Sequence, residues 1–550
     1  MLQLPMRRRA ARDLAAIAAV VGLTAACTGA PAPSPGDATS SASTTFTIDT
    51  PAPTKNAGDV VWSSYTDVVS IDPIYTYNFP DNTALAAMCD SVLRQRNDMS
   101  YGDGLATLTS QSDTEFDFTI NANAKFWDGN PVTAADAVFS LRRAADPKVG
   151  GYFTATFDRV KSIDVTGDKT FKITLSKPDY WLLGELSSNV GAVVEQKFVE
   201  AKGKDYGTPT GGIMCSGPLK YDSWEIGKGL KMVPNPDYWD TSMPKPKLDS
   251  LTLIPVGDDA TLTAGLKTGA IDGSYVTHLS TLAQLQADPN VSVYQGPPYV
   301  APAMIISATK GPLADPRVRQ AVSLALDRKG IINTEFHGAA NLPNALEAQG
   351  TWGTARDTFK TGYDALPVMA QDLAKAQALA KEAGVVGQTV TIGTSSGVPS
   401  INALALAFKT ACEAVGLKAE LQNVSPANYV NYFLDPKAYG SVDAFETQNY
   451  GNYADPSALY KTLALPGGSQ NFSGWSNPEV TAALESARGE KDETARAQYV
   501  LKAQKILTEQ LVWIPLVAAN NILVMNKKVT GAPATFVYMF GPWAAYLGGA

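Results

Sequence analysis

The sequence predicts an α/β protein built from two lobes. Residues 388–424 read strand, helix, strand, the pattern of a right-handed crossover between parallel strands. The 550 residues exceed what one core holds, because single hydrophobic cores stop growing near ~250–300 residues. Texture also changes along the chain. Residues 58–275 hold many short strands and few helices, whereas residues 276–514 alternate helices with strands.

The chain opens with a basic stretch, MRRRAAR, followed by the apolar run Leu14–Ala26 and then Cys27. Those 13 residues are too few to span a bilayer, which takes ~20. Residues 1–26 are therefore expected to be a cleaved export signal. Small residues before a cysteine resemble a bacterial lipobox, so Cys27 is the expected lipidation site. Thr24 stands where that motif usually has Leu, and simple secretion is the alternative. Residues 27–57 are rich in Pro, Ser, Thr and Ala and poor in large apolar side chains, as a flexible, lipid-anchored linker would be. Anchor, tether and large exported domain place the protein on the outer face of a bacterial cell membrane.

Removal of residues 1–26 leaves 41 basic and 52 acidic side chains, a net charge of −11. That balance excludes a nucleic-acid binder, which needs clustered Lys and Arg against phosphate. At 45% hydrophobic and 18% charged residues, the remainder is ordinary globular material.

Lobe I is expected over 58–275 and 515–550, and lobe II over 276–514. In lobe II, DPRVRQAVSLALDRKG (315–330) places Val318, Ala321, Val322, Ala325 and Leu326 on one helical face, with Asp315 as N-cap and Pro316 at the first position. AQDLAKAQALAKEAG (370–384) is a second helix, closed by Gly384. QTVTIGT (388–394) alternates as a strand. The helix from Ile401 to Val415 stops at Gly416, and LKAELQNV (417–424) is the returning strand. WIPLVAANNILVMNKKVTG (513–531) alternates again and is expected to return to lobe I, so that two or three strands cross as a hinge.

Within 391–400, TIGTSSGVPS, the residues Gly393, Ser395 and Gly397 have the G-x-S-x-G spacing of a nucleophile elbow. Such a serine needs a histidine base, which follows it in that fold. Both histidines here, His278 and His337, come before it. A βα turn, with Ser395 or Ser400 as N-cap, is the reading kept, and no catalytic residue is expected. Two histidines and scattered cysteines do not make a metal cage, and no cofactor is expected. Among the cysteines of an exported chain, Cys89 and Cys215 are the candidate disulfide pair.

FWDGNPVTAADAVFSLRRAADP (126–147) has a D-G turn and a helix capped by Thr133, with Asp136 three residues on. It is similar to the signature region of the family 5 extracellular solute-binding proteins, the dipeptide- and oligopeptide-binding subunits of bacterial ABC importers. CSGPLKYDSWEIGKGLKMVPNPDYW (215–239), DPRVRQAVSLALDR, SIDPIYTYN (70–78) and GWSNPEVTAALESAR (474–488) resemble further landmarks, in family order. The resemblance implies a type II periplasmic-binding-protein-like clam-shell of the large cluster, with an extra subdomain in the first lobe at about 83–195. Ligand would lie in the cleft and be enclosed by hinge closure without chemistry. The implied partners are a peptide or other small ligand and a membrane permease with its ATPase, the binding subunit itself being a monomer.

In peptide-binding relatives an Asp four residues before a proline pairs with the ligand's ammonium. In QNYGNYADP (448–456) that place is held by Asn452, which supplies no countercharge. Asn449, Tyr450, Asn452 and Tyr453, with Asp455, are the expected ligand residues of one wall, and Tyr75, Tyr77 and Asn78 those of the other. Amides and tyrosines suit neutral polar ligands. Peptides or peptide-like solutes are the first expectation, and a sugar, haem or metal chelate on the same scaffold the second. A secreted serine hydrolase is the third, disfavoured by the order of the histidines.

Overall fold

The computed structural model describes residues 46–276 and 280–550. The signal, Cys27, residues 28–45 and His278 lie outside them. A long mixed sheet runs through both halves of the described chain. Its order is Lys418–Asn423, Thr389–Thr394, Ala444–Asn449, Val291–Ile306, Ala518–Asn526, Gly273–Val276, Asp59–Ser64, Ser250–Pro255, Gly229–Pro234 and Leu219–Glu225. The first three strands form the parallel heart of lobe II, and Thr389–Thr394 pairs in parallel with both neighbours. Asp59–Ser64 does the same in lobe I.

The strand Val291–Ile306 belongs to both lobes. Its first half, from Val291 to Gly296, pairs with Ala518–Asn526, and Ala301 to Ile306 pair with Ala444–Asn449. The register shifts between Gly296 and Val300, where Pro297 and Pro298 have no N–H to offer the ladder. The chain crosses back between Trp513–Pro515, which pairs in lobe II, and Ala518–Asn526. Among the described residues, two crossings therefore join the lobes. Arg328 fixes the second: its fully buried guanidinium donates to the Pro515 carbonyl through Nε (3.1 Å) and Nη2 (2.7 Å).

Three expectations need correction. Residues 46–57 are not tether. Thr47 N donates to the Gln295 carbonyl, buried Thr50 donates through Oγ1 to the Ala532 carbonyl (2.9 Å), and Thr54 and Lys55 meet Gly549. Polar composition concealed a segment held by backbone hydrogen bonds. The boundary at 276 is also displaced. Leu282, Leu285 and Val291 pack with Leu262, Leu266, Ile522 and Val524 of lobe I, so lobe II begins at the proline crossing. The helix after the glycine turn spans Pro399–Ala414 and is preceded by Val398, so neither Ser395 nor Ser400 caps it.

Other local readings hold. Asp315 caps Pro316–Ala325 with Pro316 at its start. Gly416 follows the helix end at φ 86°, a conformation that disfavours any side chain. Thr133 and Asp136 form a reciprocal capping box on Ala134–Ala145. That helix packs on a separate four-stranded sheet, ordered Ala106–Gln111, Glu115–Ile120, Thr170–Leu175, Val160–Val165. The core of this inserted unit also draws on Ile74, Tyr238 and Trp239, outside the span 83–195.

The landmark stretches have structural work of their own. Asp72 of SIDPIYTYN receives both Arg143 Nη groups, at 2.7 and 2.6 Å. Tyr238 and Trp239 of the Asn-Pro-x-Tyr-Trp stretch both donate to buried Asp90, at 2.9 and 2.8 Å. Cys89 and Cys215 form a disulfide, with Cα atoms 5.0 Å apart, tying the end of helix Phe79–Met88 to the loop before Leu219–Glu225.

Candidate functional site

Open α/β sheets present ligand sites at the carboxyl ends of their parallel strands, and the chain leaving the carboxyl end of Ala444–Asn449 meets lobe I. Strand Ala444–Asn449 delivers the segment 449–456 to that edge. Asn449 is buried and tied to its own lobe: Nδ2 donates to Gln470 Oε1 (3.3 Å) and Oδ1 accepts from Tyr450 N (2.9 Å). Tyr450 reaches across. Its ring lies 5.1 Å from Phe79 and 5.3 Å from Phe536, both of lobe I, and its hydroxyl donates to the Tyr77 carbonyl. Burial raises its pKa further above the usual phenol range.

Asn452 stands at a polar contact between the lobes. Its Nδ2 donates to Glu185 Oε2 (3.0 Å), and its carbonyl accepts from Gln95 Nε2 (2.6 Å). Glu185 comes from the short helix Trp181–Glu185 of the inserted unit and is 1% exposed. Its other oxygen, Oε1, pairs with Lys461 Nζ from helix Ser457–Ala464 of lobe II. Tyr453 is buried beneath, with Lys461 Nζ 5.6 Å from its ring centre. A Cβ on Gly184 would fall 2.4 Å from that ring, so only glycine lets the helix approach so closely.

The structure therefore brings Tyr77, Tyr450 and Asn452 to one interlobe surface and gives the other expected residues separate duties. Asn78 caps helix Phe79–Met88, accepting from Asp81 N (3.0 Å). Tyr75 donates to the Val149 carbonyl (2.8 Å) within the inserted unit. Asp455 is the turn residue its Asp-Pro context permits, buried and accepting from Ser457 N (2.8 Å). Gln95, Glu185 and Lys461 were missed. WLLGELSS and SALYKTLA read as ordinary helices, and only folding sets their charges face to face.

A second interlobe contact is also ionic. Arg488 of helix Pro478–Gly489 pairs with Asp179 (2.5 Å) and Asp158 of the inserted unit, while Arg159 of that unit pairs with Glu485. Trp181 is buried in the lobe II core cluster, and Arg488 lies 5.8 Å from the centre of its ring. The lobes are shut against each other.

Ser395 is fully buried, and its Oγ has no hydrogen-bond partner among the described residues. His337 is exposed. Among the described residues no group of three or more His, Cys, Asp or Glu is arranged to hold a metal ion, and no helix is long and apolar enough to cross a membrane.

Residues 102–471, more than half of the chain, match the family described as bacterial extracellular solute-binding proteins, family 5 Middle. The chain belongs to that family. Two curated relatives of this family 5 protein come from Escherichia coli strain K12. The probable D,D-dipeptide-binding periplasmic protein DdpA is 26% identical, over 84% of this chain and 89% of its own length. The periplasmic murein peptide-binding protein MppA is 27% identical, over 84% and 88%. Among solved structures, the ABC transporter-associated periplasmic binding protein DppA from Helicobacter pylori, in complex with peptide STSA, superposes with a TM-score of 0.76. It is 21% identical and covers 88% of this chain and 98% of its own. The clam-shell fold of the family is thus that of this chain, and its matched relatives are binding proteins.

Proposed function

We propose that this family 5 protein is the solute-capturing subunit of an ABC importer, taking peptides or peptide-like compounds into the interlobe cleft. It passes them unaltered to a membrane permease and its ATPase, and it acts as a monomer on the outer face of the cell membrane. The observation that carries this reading is the two-strand hinge joining lobes whose facing surfaces meet through polar side chains. Such a joint lets the lobes swing as rigid bodies and re-form those contacts around a guest. The ligands for which DdpA and MppA are named, a D,D-dipeptide and murein peptides, support the ligand class.

Tyr77, Tyr450 and Asn452 are the proposed contacts, with Asn449 and Tyr453 shaping the wall behind them. Tyr75, Asn78 and Asp455 hold the walls in place. Cys27 carries the lipid anchor, and residues 28–45 form the tether.

Calorimetric titration with di- to hexapeptides, paired with small-angle scattering, tests this. Saturable binding with a change in radius of gyration is the expected result. Binding of glycans or tetrapyrroles alone would replace the ligand class, and hydrolysis of a bound peptide would end the reading. For the anchor, Cys27→Ser should move the protein from the membrane to the soluble fraction.

A further inference from the structure

The charges at the interlobe contact are already matched within the chain. Glu185 is the carboxylate that lobe I presents to Asn452, and both of its oxygens are taken, Oε2 by Asn452 Nδ2 and Oε1 by Lys461 Nζ. The Glu185 side chain is 2% exposed and that of Lys461 is 21% exposed, so the lysine is the more open partner of the pair. A buried carboxylate holds one cation well. A second cation beside it would be buried without a countercharge, at a high desolvation cost.

We infer that Lys461 is the charge-selecting residue of the cleft. Its ammonium fills the position at Glu185 that a ligand's ammonium would need. The cleft therefore takes solutes that carry no cationic group at the Asn452 end, such as peptides with a blocked amino terminus or neutral amides. Asn452 suits this, because its amide donates to Glu185 and leaves an uncharged acceptor, Oδ1, for a neutral donor. Glu185 is a positioning residue here: it holds the Lys461 ammonium in place. This inference rests on the cleft being the ligand site.

The experiment compares N-acetylated and free-amine forms of one tripeptide library by calorimetry on the purified full chain. The proteins are the wild type, Lys461→Met, Lys461→Arg and the double variant Lys461→Met/Glu185→Gln. Wild type should bind acetylated forms about tenfold or more tighter than free amines. Lys461→Met, which keeps the stem and exposes the Glu185 charge, should shift the ratio toward free amines by a similar factor. Lys461→Arg should keep the wild-type order. The double variant, with no charge at the contact, should lose the shift and stay folded if Lys461→Met alone does not.

Preference of the wild type for free amines, or a ratio that Lys461→Met leaves unchanged, overturns the inference. Should no peptide of either form bind any protein, the peptide reading fails by itself. The same variants titrated with n-butylammonium and n-butanol then decide the matter. A melting-temperature rise with the ammonium in Lys461→Met, absent in wild type and in the double variant, is expected. Its absence overturns the inference.

Discussion

Glu446 shows how one residue can carry a penalty that its neighbours do not relieve. It lies on strand Ala444–Asn449 opposite Met304 and is 2% exposed, with Oε1 unpartnered among the described residues. Burial pushes its carboxyl up to about 8 from an ordinary 4.5. The folded protein therefore holds a proton that the unfolded chain has released between those values, so stability falls as pH rises through that window. Glu446→Gln keeps the shape and removes the titration. It should flatten the melting temperature against pH from 4.5 to 8 and stabilise the protein by roughly 2 to 4 kcal/mol at pH 8. An unchanged slope would show that Glu446 is not the group responsible. Nothing in DAFETQN announces this, because a glutamate in a strand reads as solvent-facing until its neighbours are known.

At the scale of elements, most of the readings that held are those fixed by a few consecutive residues. The capping box of Ala134–Ala145 closes on itself, with Thr133 accepting from Asp136 N (3.3 Å) and Asp136 accepting from Thr133 N (3.0 Å). Thr133→Ala should cost about 1 kcal/mol in denaturant unfolding. The same logic failed at Ser395, where the cap geometry belongs to Val398, and at residues 46–57, whose partners at 295, 532 and 549 are far away in sequence. The Cys89–Cys215 bridge joins positions 126 apart. Its removal as Cys89→Ala/Cys215→Ala should cost about 2 to 5 kcal/mol. Equal midpoints for oxidised and reduced wild type would contradict that.

Across the whole molecule, charged contacts among the described residues hold the inserted unit against lobe II: Glu185 with Lys461, Arg488 with Asp179 and Asp158, and Arg159 with Glu485. The Asp179 side chain is 2% exposed, so losing Arg488 leaves a charge that shut lobes cannot hydrate. Swinging open restores water to it, so the cost falls on closure and spares the stability of either lobe. Arg488→Ala should therefore enlarge the radius of gyration of the unliganded protein and weaken ligand binding about tenfold or more, with little change in melting temperature. A large fall in melting temperature with unchanged scattering would mean that the contact serves folding instead.

By itself, the sequence determined the α/β class, the crossover at 388–424, several helix caps and the segment that reaches the cleft. Each depends on neighbours within a few positions, where spacing and side-chain type act directly on the backbone. Tertiary structure alone decided where the lobes divide, that Tyr75 bonds to Val149, and that Glu185 meets Lys461 and Asn452. Those outcomes depend on which surfaces pack together, and buried charges take their partners from residues brought near only by the completed fold.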